Sequence, residues 1–400
     1  MSKSNKSGIV AFFTVLLIAA MFMANYGNYQ LAAIPGKIYE TYHLTDAQFS
    51  SLMTGPMLPS IFLSIIIGIL VDKFGVKNIV SICLIISLAG FILRIFVSTY
   101  TGMLIAMALT GFAGMVLNAN ISKIAASVYS PDKIGTMVGI FMAASTGSMA
   151  VAYGTTAMIP SVEIAFWIAA GLSIAVTIIW ILFVKESYFV QEDAPAMPTA
   201  PVGEALAASF KSVNIWLLGL SLMFMMGGAM IVANFHVGAL AALKGYEEAY
   251  AGTFATVLMI GSLLGSIFVP VAASKTGKNT GIFILVITLI AGFCCIGITR
   301  LSTTGIYVAS FLNGFLRSGT ISVCMSLPVM FKEIGPRYAG TAGGLTVTLE
   351  LLGAVIIPTY IIVPLAGAGN FHGYFLYGCV SMIISAVLAF IVIQRSKAFS

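Results

Sequence analysis

Apolar residues in this chain gather into long runs parted by short polar breaks. A helix needs about 20 apolar residues to cross the hydrocarbon core of a bilayer. Twelve runs meet that need, at 9–33, 47–71, 79–98, 102–127, 134–158, 162–184, 213–239, 249–272, 280–299, 303–330, 338–364 and 371–393. They are far longer than barrel strands and lack strict alternation, so the pattern predicts helices. The expected fold class is all-α integral membrane with twelve transmembrane helices. The longest polar break, 185–212, contains Glu186, Glu192, Asp193, Pro195, Pro198 and Pro201. It reads as a flexible linker between two six-helix halves, 1–184 and 213–400.

Composition supports a lipid solvent. Hydrophobic residues make up 60 % and charged residues 8 %, against roughly 25 % charged in a soluble domain. Mean hydropathy is +1.06. Disorder, a collagen repeat and a disulfide scaffold are excluded by the same balance. The five cysteines (Cys83, Cys294, Cys295, Cys324, Cys379) lie in apolar runs without CxxC or metal-ligand spacing, and none of the three histidines is near one. They read as small apolar packers. No metal site and no cofactor is expected.

The net charge of +6 is spread thinly and gives no nucleic-acid signal. No nucleophile–base set, phosphate loop or filter motif stands out, which argues against an enzyme, an ATP-driven pump or a channel. The first apolar stretch, after two lysines, outruns a signal-peptide core and lacks a small-residue cleavage site, so it reads as a retained first span.

Loop charges give a direction. Counting Lys and Arg in alternate loops puts fourteen on the side of both termini and four (Lys37, Arg94, Lys244, Arg300) on the other. The positive-inside rule then places both termini in the cytoplasm of a multi-pass protein of the cell membrane.

The halves repeat each other. Residues 131–139 read PDKIGTMVG and residues 336–344 read PRYAGTAGG. Gly111-Phe112 recurs as Gly314-Phe315, and Ala24-Asn25-Tyr26 as Ala233-Asn234-Phe235. Each match joins equivalent helices. The loop after the second span reads GILVDKFGVK at 68–77, and Thr45 and Gln48 before that span have capping-box spacing.

The loop is similar to G-x-x-x-D-[RK]-x-G-[RK]-[RK], the signature of the major facilitator superfamily, with Val76 departing at one basic position. Its second-half counterpart, SKTGK at 274–278, lacks the aspartate. The resemblance extends over the whole chain through span count, repeat and loop positions. It implies the major facilitator fold and a gating latch formed by Gly68, Asp72, Lys73, Gly75 and Lys77. Glycine at 75 permits a tight turn, and Asp72 can attract a cation or a helix N-terminus. The plainer alternative is a topology signal made of positive-inside residues. Lys123 either snorkels to the interface or pairs with Asp72 across the latch.

Candidate substrate groups lie inside the spans. Arg317 is near the middle of the tenth, where an arginine costs about 2.5–3.5 kcal/mol or more and usually faces a cavity or a partner. Ser310, Asn313, Arg317, Thr320 and Cys324 make one polar stripe by their spacing. Glu350 sits at a similar depth in the eleventh span, so Arg317 and Glu350 are candidates for an ion pair that a substrate would open, or for a permanent structural pair. Asn25, Tyr26, Asn28, Tyr29 and Gln30 cluster in the first span, Asn118 and Ser122 in the fourth, and Asn234 and His236 in the seventh. The resemblance puts the first, fourth, seventh and tenth helices around the transport path. The bland reading of each residue is interhelical hydrogen bonding. Gly111, Gly114, Gly135 and Gly139 are candidates for close helix approach. Arg94 reads as an interface anchor.

Arginine's planar fork suits a carboxylate. The leading expectation is a monomeric secondary active transporter that moves a small organic anion by alternating access, by proton symport or anion exchange. If Glu350 also meets the substrate, an amino acid or other zwitterion follows. Drug efflux is the rival within the superfamily, although residues 147–154 read GSMAVAYG without the Gly-Pro pair common in drug exporters. A membrane receptor is the alternative of another class. The expected partners are the lipid bilayer, a small-molecule substrate and a coupled proton or counter-anion.

Overall fold

The computed structural model describes residues 3–129, 131–189 and 202–396. All twelve apolar runs are helical. In chain order the helices are α1 (Lys3–Ala33), α2 (Pro35–Tyr42), α3 (Asp46–Thr54), α4 (Leu58–Phe74), α5 (Val76–Phe96), α6 (Tyr100–Val128), α7 (Pro131–Thr155) and α8 (Val162–Phe183). They continue with α9 (Val202–Lys211), α10 (Val213–Lys244), α11 (Glu248–Ser274), α12 (Thr280–Arg300), α13 (Thr303–Ser326), α14 (Gly335–Ile356), α15 (Val363–Ala366) and α16 (Phe371–Ser396). Among the described residues no strand occurs.

Two spans are interrupted within their length, and prolines account for both. Pro56 and Pro59 cannot donate to the helix ladder, and the second span tightens to a 3₁₀ turn over Gly55–Met57 between α3 and α4. In the eleventh, Pro358 falls in a π-helical segment, Ile357–Ile362, between α14 and α15. Among the described residues ten helices are long and apolar enough to cross a membrane. The broken second span is not among them, and neither is α13, whose polar stripe dilutes its hydropathy.

The chain divides into two compact units, one of residues 1–44 and 51–194, the other of 45–50 and 195–400. In the first, α1 packs on α6, α7 and α8, while α5 lies against α6 and α8. Its core joins Phe13, Phe91, Phe141 and Trp180, with Phe13 lying 5.9 Å from Trp180 ring to ring. In the second unit, α13 packs on α11 and α12, and α10 on α14 and α16. Ile215, Leu222, Val323, Phe331 and Val392 belong to its core. Large apolar side chains such as Phe62, Ile69 and Leu182 stand exposed. An apolar exterior of this kind is stable only in lipid.

The paired Gly-Phe signals of the repeat have a packing cause. A Cβ on Gly111 of α6 would lie 1.9 Å from the Pro56 carbonyl oxygen, and one on Gly314 of α13 would lie 2.1 Å from that of Leu258. Each unit thus needs a glycine where its fourth helix meets the backbone of its second. Gly114 and Gly139 have no neighbour within 4 Å of such a Cβ, so the expectation of close helix approach at these two is corrected. The surroundings of Gly135 lie outside the described residues.

The segment 185–212 is also more structured than a flexible linker. A 3₁₀ turn covers Glu186–Tyr188 and α9 covers Val202–Lys211. Residues 190–201, with the remaining acids and prolines of that segment, lie outside the described residues.

Candidate functional site

In the first unit the polar segment of α1 is divided between two environments. Asn28 accepts from Thr110 Oγ1 at 2.7 Å and is buried. Gln30 donates to the Ala165 carbonyl at 2.9 Å and is fully buried. These two hold α1 to its neighbours. Asn25 and Tyr29 are half-buried: Asn25 donates to Ser145 Oγ at 2.8 Å, and the Tyr29 ring meets that of Tyr153 at 5.9 Å. Tyr26 is buried and stacks on Phe22 at 5.6 Å. Asn118 is exposed on α6 and Lys123 is exposed one helical turn further on. The Ser122 side chain lies outside the described residues.

Arg94 is not the interface anchor that its place near a helix end suggests. It is 0 % exposed. Its Nη1 donates to the Gly27 carbonyl at 2.6 Å and its Nη2 to Gln30 Oε1 at 2.7 Å. Its guanidinium lies 4.3 Å from the Phe166 ring centre and 4.9 Å from that of Phe91. Burial raises the hydroxyl pKa of nearby Tyr42, and the positive charge of Arg94 acts against that rise. The side chain therefore braces α1 beside its polar segment.

The latch loop is built around an acid that sequence reasoning placed in the linker. Gly75 has φ +88° and ψ 158°, a region open essentially to glycine alone. The carboxylate of Glu186 accepts from the backbone N–H groups of Val76 and Lys77, both at 2.9 Å. A Cβ on Gly75 would lie 2.3 Å from that carboxylate. An anion here satisfies orphan donors at the start of α5 and faces the positive end of its dipole. Lys73 is exposed and lies 5.2 Å over its neighbour, the Phe74 ring. Gly68 has open space where a Cβ would stand. The Asp72 side chain lies outside the described residues.

In the second unit the α13 stripe is buried from end to end. Ser310 lies 3.3 Å from His236 Nε2. Asn313 donates to the Ala291 carbonyl at 2.8 Å, Arg317 Nη2 to Ser262 Oγ at 3.3 Å, and Thr320 bonds Thr288 at 2.9 Å. His236 Nδ1 and Asn313 Oδ1 are buried without a hydrogen-bond partner. Glu350 on α14 is 6 % exposed and makes no hydrogen bond or ion pair among the described residues. No ion pair joins Arg317 to Glu350, so the expected pairing is corrected. Similar depth in successive spans did not bring the two groups together.

Asn234 belongs to a different cluster. It donates to Ser50 Oγ at 3.3 Å, and Ser50 bonds Thr359 in the π segment at 2.8 Å. A π turn often marks a functional position, and no periodicity in the sequence announced it. Nearby, Thr45 and Gln48 cap α3 reciprocally as their spacing predicted: Thr45 N donates to Gln48 Oε1 at 2.9 Å and Gln48 N to Thr45 Oγ1 at 3.3 Å. Asp46 accepts from the Tyr374 hydroxyl at 2.5 Å and from Gly369 N at 2.7 Å.

The contacts that sequence reasoning missed are those of Glu186 with the latch loop, of Arg94 with α1, and of Thr359 with Ser50. Glu186 stands 110 positions from Val76, and nothing local links them. For Arg94 the available signal was Gln30, a polar partner deep in an apolar helix. Among the described residues no group of three or more His, Cys, Asp or Glu is placed to hold a metal.

Comparison with known proteins agrees with this architecture. A crystal structure of a bacterial homolog to the human lysosomal transporter Spinster has a TM-score of 0.76 at 16 % identity, over 100 % of this chain and 98 % of that one. The nucleoside transporter NupG has a TM-score of 0.74 at 14 % identity, over 96 % of this chain and 98 % of that one. These likenesses show a shared fold. The facilitated glucose transporter member 10 of solute carrier family 2 from Danio rerio is 23 % identical over 143 residues, 35 % of this chain. The chain spans 28 % of that relative's length. The family model of the Major Facilitator Superfamily matches residues 15–358, from α1 through the latch loop into the π segment, and the chain therefore belongs to the Major Facilitator Superfamily.

Proposed function

We propose that this transporter moves a small organic anion, with a carboxylate as the leading class, by alternating access across the cell membrane. Arg317 is its anion-binding group. The observation that carries this reading is a cation 7 % exposed, halfway along a membrane-crossing helix, that donates to a neutral hydroxyl at Ser262. A guanidinium so placed offers a bidentate fork in a low-dielectric setting. Asn313, Asn25, Tyr26, Tyr29, Asn118 and Asn234 are the candidate neutral contacts. The latch residues Gly68, Asp72, Lys73, Gly75 and Lys77, with Lys123, are the candidate gating set, and Glu186 holds their loop in place. The distribution of Lys and Arg supports cytoplasmic termini.

Glu350 is the group on which a coupled proton would travel. A charge costs far more to bury than a neutral acid, and Glu350 has no cation beside it among the described residues. Arg317 and Glu350 make no ion pair with each other, so an anion can bind Arg317 without breaking a bond to Glu350. Symport of anion and proton then follows from two separate sites. An amino-acid substrate is the second reading, since one unit buries both a cation and a carboxylate.

Proteoliposome uptake tests the proposal. Carboxylates, amino acids, glucose and nucleosides should be compared with and without an imposed pH gradient. The expected outcome is carboxylate uptake that rises with the gradient and loses that dependence in Glu350→Gln. Unchanged gradient dependence in the variant would reduce Glu350 to a structural group. Uptake confined to glucose or a nucleoside would overturn the anion reading.

A further inference from the structure

A cavity of about 490 Å³ opens between α12 and α13 of the second unit. It is lined by α12 from Ile290 to Gly297, by Leu301 after it, and by α13 from Thr304 to Leu312. Its only polar lining side chains are Cys294 and Thr304. It faces outward, because Phe293 and Val308 in its walls are more than half exposed. Two glycines keep it open: a Cβ on Gly305 would press on Leu301 Cβ at 2.8 Å, and one on Gly297 on Leu301 Cδ1 at 3.0 Å.

Depth and charge identify what fits. At 1.5 Å per residue, Ile290 to Leu301 rises about 16 Å, roughly half of a 30 Å hydrocarbon core. The groove is therefore one leaflet deep. A positive charge adjoins one end of it. Arg300 ends α12 directly before the lining residue Leu301, is exposed, and makes no hydrogen bond or ion pair among the described residues. α13 begins two residues after Leu301, and Ser302 at its N-cap makes no side-chain cap bond. The first-turn N–H groups of α13 thus add the positive end of a helix beside Arg300.

We propose that this groove holds one bilayer phospholipid, with an acyl chain along α12 and α13 and its phosphodiester at Arg300 and the start of α13. A diacylglycerol shares the chains but not the anion, and would leave the positive end without a partner. A second copy of this chain would present an apolar helix and likewise leave Arg300 unmatched. The proposal stands apart from the substrate site, because the groove contains neither Arg317 nor Glu350.

The test uses the full chain purified in detergent. Dioleoylphosphatidylglycerol is titrated and the retained lipid is counted by native mass spectrometry, with dioleoylglycerol as the phosphate-free probe. A diazirine-bearing phospholipid maps the contact. The expected result is one retained phospholipid with cross-links within 290–312. Retention should be about tenfold weaker for Arg300→Gln and for dioleoylglycerol, one factor of ten being the loss of a single charge-assisted contact. It should be absent in Val308→Trp, whose ring fills the groove from an exposed position. If Val308→Trp fails to fold, the Arg300→Gln and dioleoylglycerol arms still decide. Cross-links elsewhere, equal retention of both lipids, or a dimer that dissociates in Val308→Trp would overturn the proposal.

Discussion

Arg94 in the first unit and Arg317 in the second are both buried cations on long helices, and their surroundings differ. Arg94 is sealed completely, with two close oxygen acceptors and two aromatic faces around it. Arg317 retains 7 % exposure and reaches Ser262 at the longer distance of 3.3 Å. The first arrangement spends the guanidinium fork on the protein's own carbonyl groups. The second directs a guanidinium nitrogen to a neutral hydroxyl, that of Ser262. Burial alone therefore does not mark a substrate residue; the identity of the acceptors does.

Exchanging the fates of the two arginines is the most direct way to break this comparison. Arg317→Ala should abolish substrate uptake while the purified protein melts close to wild type. Arg317→Lys should also be impaired, since lysine lacks the planar fork. Normal uptake in Arg317→Ala would remove the substrate assignment. Arg94→Ala should behave oppositely. It leaves the Gly27 carbonyl and Gln30 Oε1 without their donor, at about 1–3 kcal/mol for each buried orphan. The melting temperature should fall by several degrees, and the protein that stays folded should bind substrate normally. Equal melting for wild type and Arg94→Ala would show that Arg94 does not brace α1.

The loops after the second and eighth spans sharpen the contrast between the units. In the first unit an acid, Glu186, caps α5 across Gly75. In the second, hydroxyls hold the turn: Thr280 donates to the Ala273 carbonyl at 3.2 Å and bonds Thr276 at 2.8 Å. Gly75→Ala should cost about 1–3 kcal/mol, because alanine must enter a glycine-only region against the Glu186 carboxylate. Glu186→Gln should cost less, about 1–2 kcal/mol: it keeps one acceptor oxygen, but its NH2 cannot accept the second backbone N–H, and the charge at the helix start is lost. Thermal melting of both variants checks the order. A smaller loss for Gly75→Ala would mean that the turn relaxes easily.

The smallest expected effect concerns acid. Burial pushes the Glu333 carboxyl up, but hydrogen bonds from its own backbone, Ser212 and Asn214, with the charge of Arg395, outweigh it and leave the pKa below the ordinary carboxylate value. Ser212 and Asn214 both donate to Oε1 at 2.8 Å. A group with a lowered folded-state pKa stabilises the protein above its unfolded pKa and loses that contribution as pH falls through the folded value. Melting temperature should therefore drop below the carboxylate range, with a shallower slope in Glu333→Gln. Identical slopes would assign the acid sensitivity to other groups.

The legible part of this molecule is the part that lipid dictates. Every backbone polar group in a bilayer must be satisfied within its own element, so apolar run lengths fixed the twelve helices without any tertiary information. The repeat was readable for a similar reason: Gly111 and Gly314 each meet a neighbouring backbone that no side chain could share. Capping at Thr45 and Gln48 was readable because both partners lie within one turn. Side-chain partnership was not. Arg317 and Glu350 share a depth in successive spans, but pairing depends on rotation about each helix axis, and run length carries no such angle. Glu186 and Val76 meet 110 residues apart, and Arg94 finds Gln30 64 residues away. The sequence by itself determined the solvent, the helices and the family. Only the tertiary structure decided which groups the buried charges meet, because those contacts depend on the helix faces that packing brings together.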